Sequence, residues 1–392
     1  MSHCTTETAV DALVVGAGPA GLMAADVLGK AGYTVLLAEH KPSVARKFLM
    51  AGKSGLNLTK DEPLDEMLPA FGPSADRLAP ILRDFDAREV QAWAQSLGQP
   101  LFTGSSKRVF PKAMKASPLL RACLAEVNAR VETRWRWQGF DGALSVFETP
   151  NGPQNVKAKV TVLAMGGASW RKLGSDGAWA EALPTEDIVP FQPVNMGFRV
   201  NWSSHMEAHF GAPIKAVALH AGGQAERAEF TISKAGIEGG GIYLVSKAMR
   251  DGARLTVDLF PDLSVDVLRQ KLGGRGKASV TSHLRKRLKL TGARLALLQE
   301  FCRPLPNDLA PLLKAVPILH DGPRDLDEAI STSGGVSWAA LDSNLMLRAR
   351  ANTFCAGEMI DWDAPTGGYL LTGCLATGRW AGRAAVEALA AI

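Results

Sequence analysis

Residues 11–21 read Asp-Ala-Leu-Val-Val-Gly-Ala-Gly-Pro-Ala-Gly, an apolar run that leads directly into a glycine loop. The apolar part, residues 11–15, predicts a buried parallel strand. Residues 22–30 have a helical pattern that Gly32 would end, and residues 33–38 predict a second strand. This order of strand, Gly-x-Gly-x-x-Gly, helix and strand predicts a βαβ unit that binds a dinucleotide.

The glycines of this loop have different expected roles. Gly16 permits the tight turn, Gly18 lets the backbone approach a pyrophosphate, and Gly21 lets the helix pack closely on the strand. Pro19 and Ala20 belong to the loop, and the free N–H groups and partial positive charge of the helix N-terminus that follows favour the pyrophosphate.

Glu39 follows the loop at the expected distance of about 20 residues. Its carboxylate is expected to accept hydrogen bonds from the ribose hydroxyls of an adenosine, and His40 beside it belongs to the same predicted site. A carboxylate at this position repels a 2′-phosphate, so the motif predicts FAD or NAD rather than NADP.

Three later segments favour FAD over NAD, and the first of them is residues 46–59. Its small residues expose backbone N–H groups that suit an anion or a ring edge, although a plain surface loop is the alternative. Asn57 is a candidate partner for a flavin carbonyl or a ribityl hydroxyl. The predicted cofactor contacts in this segment are Arg46, Lys47, Gly52, Ser54, Gly55 and Asn57.

The second segment is a predicted strand at residues 160–164, which enters a glycine turn at residues 165–169. In two-part FAD domains such a strand passes near the adenine, and residues 174–177 offer a further turn. A generic strand and turn is the alternative. The predicted contacts here are Ala164, Gly166 and Gly167.

The third segment lies near the C-terminus, where residues 352–356 predict a strand and residues 367–369 open the last helix. A glycine–acid pair suits the ribityl chain, and a helix N-terminus stabilises negative charge on a reduced flavin. Residues 331–336 are expected to approach the ring from another side. The predicted contacts are Gly357, Glu358, Thr366, Gly367, Gly368 and Tyr369.

Together these segments resemble a bacterial flavoprotein family, the BaiN-like NAD(P)/FAD-dependent oxidoreductases. The resemblance implies an FAD domain split by an inserted domain, and redox chemistry. This chain has Leu56-Asn57 where the family has Cys-Asn, which is typical of a divergent branch. The matching stretches are GAGPAG at 16–21, RKFLMAGKSGLNLT at 46–59, LAMGGAS at 163–169, SGGVS at 333–337 and AGEMIDWDAPTGGYLLTGCLATGRWAG at 356–382.

The middle of the chain predicts a separate domain. A basic, helical stretch is expected from Val265, capped by Asp262 or Ser264, to about Leu313. Short strands are expected before it, at residues 196–200, 216–220, 241–245 and 254–259.

We therefore predict an α/β protein with a two-part Rossmann-like FAD-binding domain. Its two parts are residues 1–193 and 331–392. An inserted β-rich domain with a helical cap occupies residues 194–330 and is expected to cover the flavin and shape the substrate pocket.

The expected function is that of an FAD-dependent oxidoreductase, which transfers hydride between the flavin and a small organic substrate. NADH or NADPH is a candidate transient co-substrate. A second dinucleotide-binding unit is not expected, because no apolar strand is evident before the glycines at 239–241. Tyr369 is the candidate catalytic proton donor, since it lies beside the predicted flavin-facing helix end.

Two other functions stay open at this point, an RNA-binding or RNA-modifying flavoprotein and a non-catalytic binding protein with an FAD fold. A basic cluster at residues 269–289 favours RNA or an anionic substrate. The near absence of aromatic residues among these charges disfavours a stacking site for single strands.

Composition sets broad limits. The chain has 392 residues with 44 basic and 39 acidic side chains, and a net charge of +5 neither requires nor excludes a nucleic-acid partner. The five scattered cysteines form no CxxC pair, so no metal site is expected, and they fit a reducing compartment. With no signal peptide or membrane span evident, a cytoplasmic protein is expected, and its oligomeric state stays open.

Overall fold

The computed structural model describes residues 6–53 and 55–392. The strands are, in chain order, β1 Thr6–Val15, β2 Val35–Glu39, β3 Thr59–Lys60, β4 Leu101–Thr103, β5 Arg108–Pro111, β6 Arg130–Thr133, β7 Arg136–Asp141, β8 Leu144–Glu148, β9 Gln154–Leu163, β10 Ile188–Val194, β11 Phe198–Arg199, β12 Pro213–Ala221, β13 Gln224–Ser233, β14 Gly236–Glu238, β15 Leu255–Asp258, β16 Val316–Ile318, β17 Ser331–Val336 and β18 Thr353–Cys355. The helices are α1 Pro19–Lys30, α2 Arg46–Ala51, α3 Leu64–Met67, α4 Ala75–Asp84, α5 Ala87–Ser96, α6 Ala116–Glu126, α7 Gly240–Arg250, α8 Val265–Leu272, α9 Val280–Leu288, α10 Gly292–Phe301, α11 Ala310–Lys314 and α12 Tyr369–Ala390.

The large sheet has the strand order β6-β2-β1-β9-β8-β7, and β18 also pairs with β9. β1 runs parallel to both β2 and β9, while β6 and β18 extend the parallel set. Residues Ala12 to Val15 of β1 are buried, as expected for a parallel strand covered on both faces. The predicted α/β fold with a parallel Rossmann-like sheet is therefore confirmed.

The elements around the glycine loop begin close to where the sequence predicts them. α1 begins at Pro19, one turn before the predicted start, because proline suits the first helical position, where no N–H partner is needed. β2 ends at Glu39, so the acidic residue stands at the carboxyl edge of the sheet. The last helix, α12, begins at Tyr369 directly after the glycine pair that was expected to open it.

The chain divides into two compact units, Met1–Gln192 with Ser331–Ile392, and Pro193–Ile330. The second unit contains an antiparallel sheet of order β11-β14-β13-β12-β15-β16, together with helices α7 to α11. Its own hydrophobic core includes Phe198, Phe230 and Ile232. The predicted helix start at Val265 is confirmed, and Ser264 caps it by accepting a hydrogen bond from the Val267 N–H at 3.3 Å.

One strand prediction in this unit is wrong. Residues 241–245 lie in α7, where the buried residues Ile242, Val245, Ser246 and Met249 recur at helical spacing. A five-residue apolar run does not distinguish a strand from a buried helical turn.

The expectation that no strand precedes the glycines at 239–241 is also wrong, because β14 ends at Glu238. However, β14 pairs antiparallel with β11 and β13, so no βαβ unit forms around these glycines.

In the described part of the chain, none of the helices combines the length and apolar character that crossing a bilayer requires.

Candidate dinucleotide site

A cavity of about 420 Å³ lies at the carboxyl ends of β1, β2 and β9. Parallel α/β sheets bind their ligands at this edge. The sequence-predicted residues that line it are Gly16, Gly18, Pro19, Ala20, Glu39, His40, Arg46, Lys47, Ala164, Gly166, Gly357 and Glu358. The structure thus gathers residues from all the predicted segments around one cavity.

The three loop glycines differ in what surrounds them. A Cβ atom on Gly21 would lie 1.8 Å from the Gly16 carbonyl oxygen, and one on Gly16 would lie 2.4 Å from the Ala164 oxygen. A Cβ atom on Gly18 would meet nothing within 4 Å, and Gly18 lines the cavity. Gly16 and Gly21 are therefore required for packing, whereas Gly18 leaves open space for a ligand beside the α1 N-terminus.

Glu39 and His40 form the wall at the end of β2. The Glu39 carboxylate is buried and accepts hydrogen bonds from the backbone N–H groups of Ala17, at 3.1 Å, and Lys41, at 2.8 Å. A carboxylate has about four acceptor positions, so capacity remains for ribose hydroxyls. Burial lowers the pKa of His40, and its Nε2 atom is buried without a hydrogen-bond partner.

Sequence reasoning missed the wall formed by Trp135, Arg136, Trp137 and Gln138, which also lines the cavity. The signal available was the pair of tryptophans separated by one residue. The indole Nε1 of Trp137 is buried and has no partner, a state that costs about 1–3 kcal/mol. The unpaired polar atoms of Trp137 and His40, together with the open space at Gly18, fit the adenosine and pyrophosphate half of FAD.

Lys47 joins the segment after β2 to the C-terminal segment. Its Nζ atom lies 2.8 Å from Oε2 of Glu358 and donates to Oγ of Ser169 at 2.9 Å.

Cys374 lines the same cavity, and burial raises the pKa of its thiol. The Cys374 thiol is therefore protonated near neutral pH.

A second group of predicted residues lies together but does not line this cavity. The amide nitrogen of Asn57, in the orientation that satisfies its neighbours, lies 3.2 Å from the carbonyl oxygens of Gly367 and Thr59. A Cβ atom on Gly368 would lie 2.4 Å from Cα of Thr59. Residues around Asn57 therefore pack directly against the start of α12.

Tyr369 begins α12, and its hydroxyl group has partners on both sides. It donates to Oε1 of Glu62 at 2.6 Å and accepts from Nζ of Lys60 at 2.8 Å. Lys60 and Glu62 also form an ion pair at 2.8 Å. Burial raises the pKa of Tyr369, so the phenol is protonated at neutral pH.

The other predicted contacts lie outside the lining of the cavity. Gly167 backs onto β17, where a Cβ atom would be 2.1 Å from Oγ1 of Thr332. Gly52 and Gly55 pack against Ala116 and Met114. Gly21 packs within the loop, Thr366 is not among the residues lining the cavity, and Ser54 lies outside the described residues.

The family model for the HI0933-like protein Rossmann domain matches residues 10–384. The chain belongs to this family. A 3-dehydro-bile acid Δ4,6-reductase from Clostridium scindens is 25% identical over 415 residues, which cover 95% of this chain and 98% of that protein. The predicted resemblance to BaiN-like flavoproteins is confirmed.

Two further proteins are similar to this HI0933-like chain. A ribosomal RNA dihydrouridine synthase from Escherichia coli is 24% identical, covering 92% of this chain and 94% of that protein. The structure of a 3-ketosteroid-Δ4-(5α)-dehydrogenase from Rhodococcus jostii shares the fold, with a TM-score of 0.52, 16% identity, and coverage of 99% of this chain and 98% of that one.

The family match and the full-length similarity to a reductase establish this HI0933-like protein as an FAD-dependent oxidoreductase. The predicted cofactor, FAD, and the predicted enzyme class are confirmed. The alternative of a non-catalytic binding protein has no support among these relatives.

Proposed function

We propose that this flavoprotein reduces a carbon–carbon double bond of a small organic substrate, and that NADH or NADPH supplies the electrons. The observation that carries the proposal is the full-length similarity to a 3-dehydro-bile acid Δ4,6-reductase. A double bond conjugated to a ketone accepts hydride at one carbon and a proton at the next. The substrate class is therefore a conjugated ketone of about steroid size.

The residues of the cavity have separate parts in holding FAD, which supplies the hydride chemistry when bound. Gly18 and the first turn of α1 receive the pyrophosphate, and Glu39 receives the ribose hydroxyls. The ion pair of Lys47 with Glu358 is placed to orient the ribityl chain. We also propose that residues 1–193 and 331–392 act as the FAD domain and residues 194–330 as the inserted substrate domain.

Tyr369 remains the candidate proton donor, and its hydrogen-bond partners Lys60 and Glu62 add two roles to this proposal. The Lys60 ammonium donates to the phenol oxygen at 2.8 Å. It is therefore placed to return a proton to Tyr369 after the phenol has given one up. Glu62 holds the phenol between turnovers.

An anaerobic absorption experiment on the purified protein tests the proposal. We expect the twin flavin bands to bleach when NADH or NADPH is added, and to return when a 3-oxo-Δ4 steroid is added. A steroid without the double bond is the matched control and should leave the bleached spectrum unchanged. Bands that neither nucleotide bleaches would contradict the proposed reductase.

Reduction of a base in RNA is the second candidate function, favoured by the similarity to a ribosomal RNA dihydrouridine synthase. The residues Arg285, Lys286 and Arg287 are exposed in the last turn of α9 and offer contacts to phosphates. Ribosomal RNA binding should weaken steeply with salt and fall when all three become alanine. Binding that is insensitive to these replacements would remove this candidate.

A further inference from the structure

A second groove, of about 450 Å³, lies between α2 and the start of α6. Its apolar surface comes from Leu49 and Met50, which are 37% and 38% exposed. Exposed apolar side chains that lie in one groove offer a contact surface to an apolar part of a ligand. The groove is lined by Ser43, Arg46, Leu49, Met50, Gly52, Lys53, Lys115, Ala116, Ser117 and Leu173.

The groove is positively charged. Arg46, Lys53 and Lys115 line it, and its lining contains no carboxylate. Lys53 and Lys115 are exposed, and neither forms an ion pair with a carboxylate among residues 6–53 and 55–392. The Nε atom of Arg46 is buried and lacks a partner, although its Nη1 atom donates to Ser43 at 3.1 Å. These cations are available to an anionic ligand.

Gly52 determines how closely the two helices approach. A Cβ atom there would lie 2.5 Å from Cβ of Ala116, so only glycine lets the end of α2 meet the start of α6. The eleven-residue helix α6 has no side-chain cap at its N-terminus. Its first N–H groups therefore add partial positive charge to the groove beside Lys115.

The groove adjoins the dinucleotide cavity. Arg46 and Leu173 line both. A ligand held here would lie beside bound FAD, and it would combine phosphate groups with a flat apolar part that covers Leu49 and Met50. In this unit the βαβ site belongs to FAD, so an electron donor that carries phosphates needs a second place to bind.

We propose that this groove binds the phosphate-bearing end of NADPH as the electron donor, an inference that rests on the proposed function. Three cations and no carboxylate favour the extra 2′-phosphate of NADPH, in contrast to the Glu39 site, which repels one. In the donor step a nicotinamide C–H bond breaks, NADPH becomes NADP⁺, and FAD accepts the hydride with one proton from solvent.

Calorimetry on the FAD-loaded protein tests the groove without turnover, with 2′,5′-ADP and 5′-AMP as probes. The test variant carries Lys53→Ala and Lys115→Ala, and the control carries Lys112→Ala, an exposed lysine outside the groove. We expect the double variant to bind 2′,5′-ADP about tenfold more weakly, and 5′-AMP less than about threefold more weakly. FAD content should be equal in all three proteins.

Several outcomes would overturn the assignment. Unchanged 2′,5′-ADP affinity in the double variant would place the donor elsewhere, and equal weakening of 2′,5′-ADP and 5′-AMP would remove the role of the 2′-phosphate. Displacement of 2′,5′-ADP by equimolar inorganic phosphate, or preferential displacement by ribosomal RNA, would reassign the groove. A flavin that neither nucleotide reduces would overturn the proposed function, while the binding of 2′,5′-ADP judges the groove separately.

Discussion

The dinucleotide cavity and the start of α12 differ in whether their buried polar atoms have hydrogen-bond partners. In the cavity, Nε2 of His40 and Nε1 of Trp137 are buried without partners. At the start of α12, the Tyr369 hydroxyl has Glu62 as acceptor and Lys60 as donor. Buried polar groups normally have partners, and these two unpaired groups line the cavity, where a ligand can bond them. The Tyr369 hydroxyl group has both of its partners within the protein, so it needs no ligand to satisfy it.

The largest expected effect follows from the open space at Gly18. Gly18→Val should remove FAD from the purified protein, because the side chain enters the cavity and meets no protein atom. Thermal unfolding of the apoprotein should be nearly unchanged. The measurements are the flavin absorption per protein and the Tm without FAD.

Gly21→Val is the matched control for this change. Its side chain would collide with the Gly16 carbonyl 1.8 Å away, so we expect a protein that fails to fold. A yellow Gly18→Val protein with full FAD content would show that the cavity is not where the pyrophosphate binds.

The next effect is on stability and tests the paired group. Tyr369→Phe should lower the free energy of unfolding by about 1–3 kcal/mol, because the buried Glu62 carboxylate loses a hydrogen-bond donor. FAD content should not change. Urea unfolding measures the difference, with Tyr33→Phe as the control in the same unit. A loss of FAD without a loss of stability would mean that Tyr369 acts on the cofactor.

The pH dependence of this difference has a definite sign. Burial raises the pKa of Tyr369. For Lys60, burial acts to lower the pKa, but the hydrogen bonds to Glu62 and Tyr369 outweigh it, so that the pKa of Lys60 is also raised. Groups with raised pKa values stabilise the fold below their unfolded values, which are about 10 for both residue types, and lose that contribution as the pH rises further. The difference between wild type and Tyr369→Phe should be constant from about pH 6 to about pH 9 and shrink above about pH 10.

The smallest expected effect concerns the unpaired indole. Trp137→Phe should weaken FAD binding about fivefold, the loss of one hydrogen bond worth about 1 kcal/mol, but leave the apoprotein as stable or more stable. Trp179→Phe is the control, because its Nε1 already donates to the Gly166 oxygen at 2.9 Å. That change should destabilise the apoprotein. Equal behaviour of the two variants would contradict the contrast between open and paired groups.

The sequence alone determined the β1–α1–β2 unit, the glycine loop that contains Gly18 and the acidic residue at the end of β2. It also placed the start of the last helix within residues 367–369, and α12 begins at Tyr369. These features depend on turn sterics, capping and burial patterns over neighbouring residues, which a short stretch of sequence contains in full. The helix α7 was missed because its short apolar run fits both periodicities.

The tertiary structure alone decided which distant residues meet. The wall of Trp135 and Trp137 reaches the cavity because β6 pairs in parallel with β2, and the Trp135 N–H then bonds the Glu39 carbonyl at 2.9 Å. Lys47 meets Glu358 311 residues later in the chain, and Tyr369 finds its partners 307 and 309 residues earlier. Such pairs depend on strand order and register, which arise from the packing of the whole sheet, and no local pattern in the sequence encodes them.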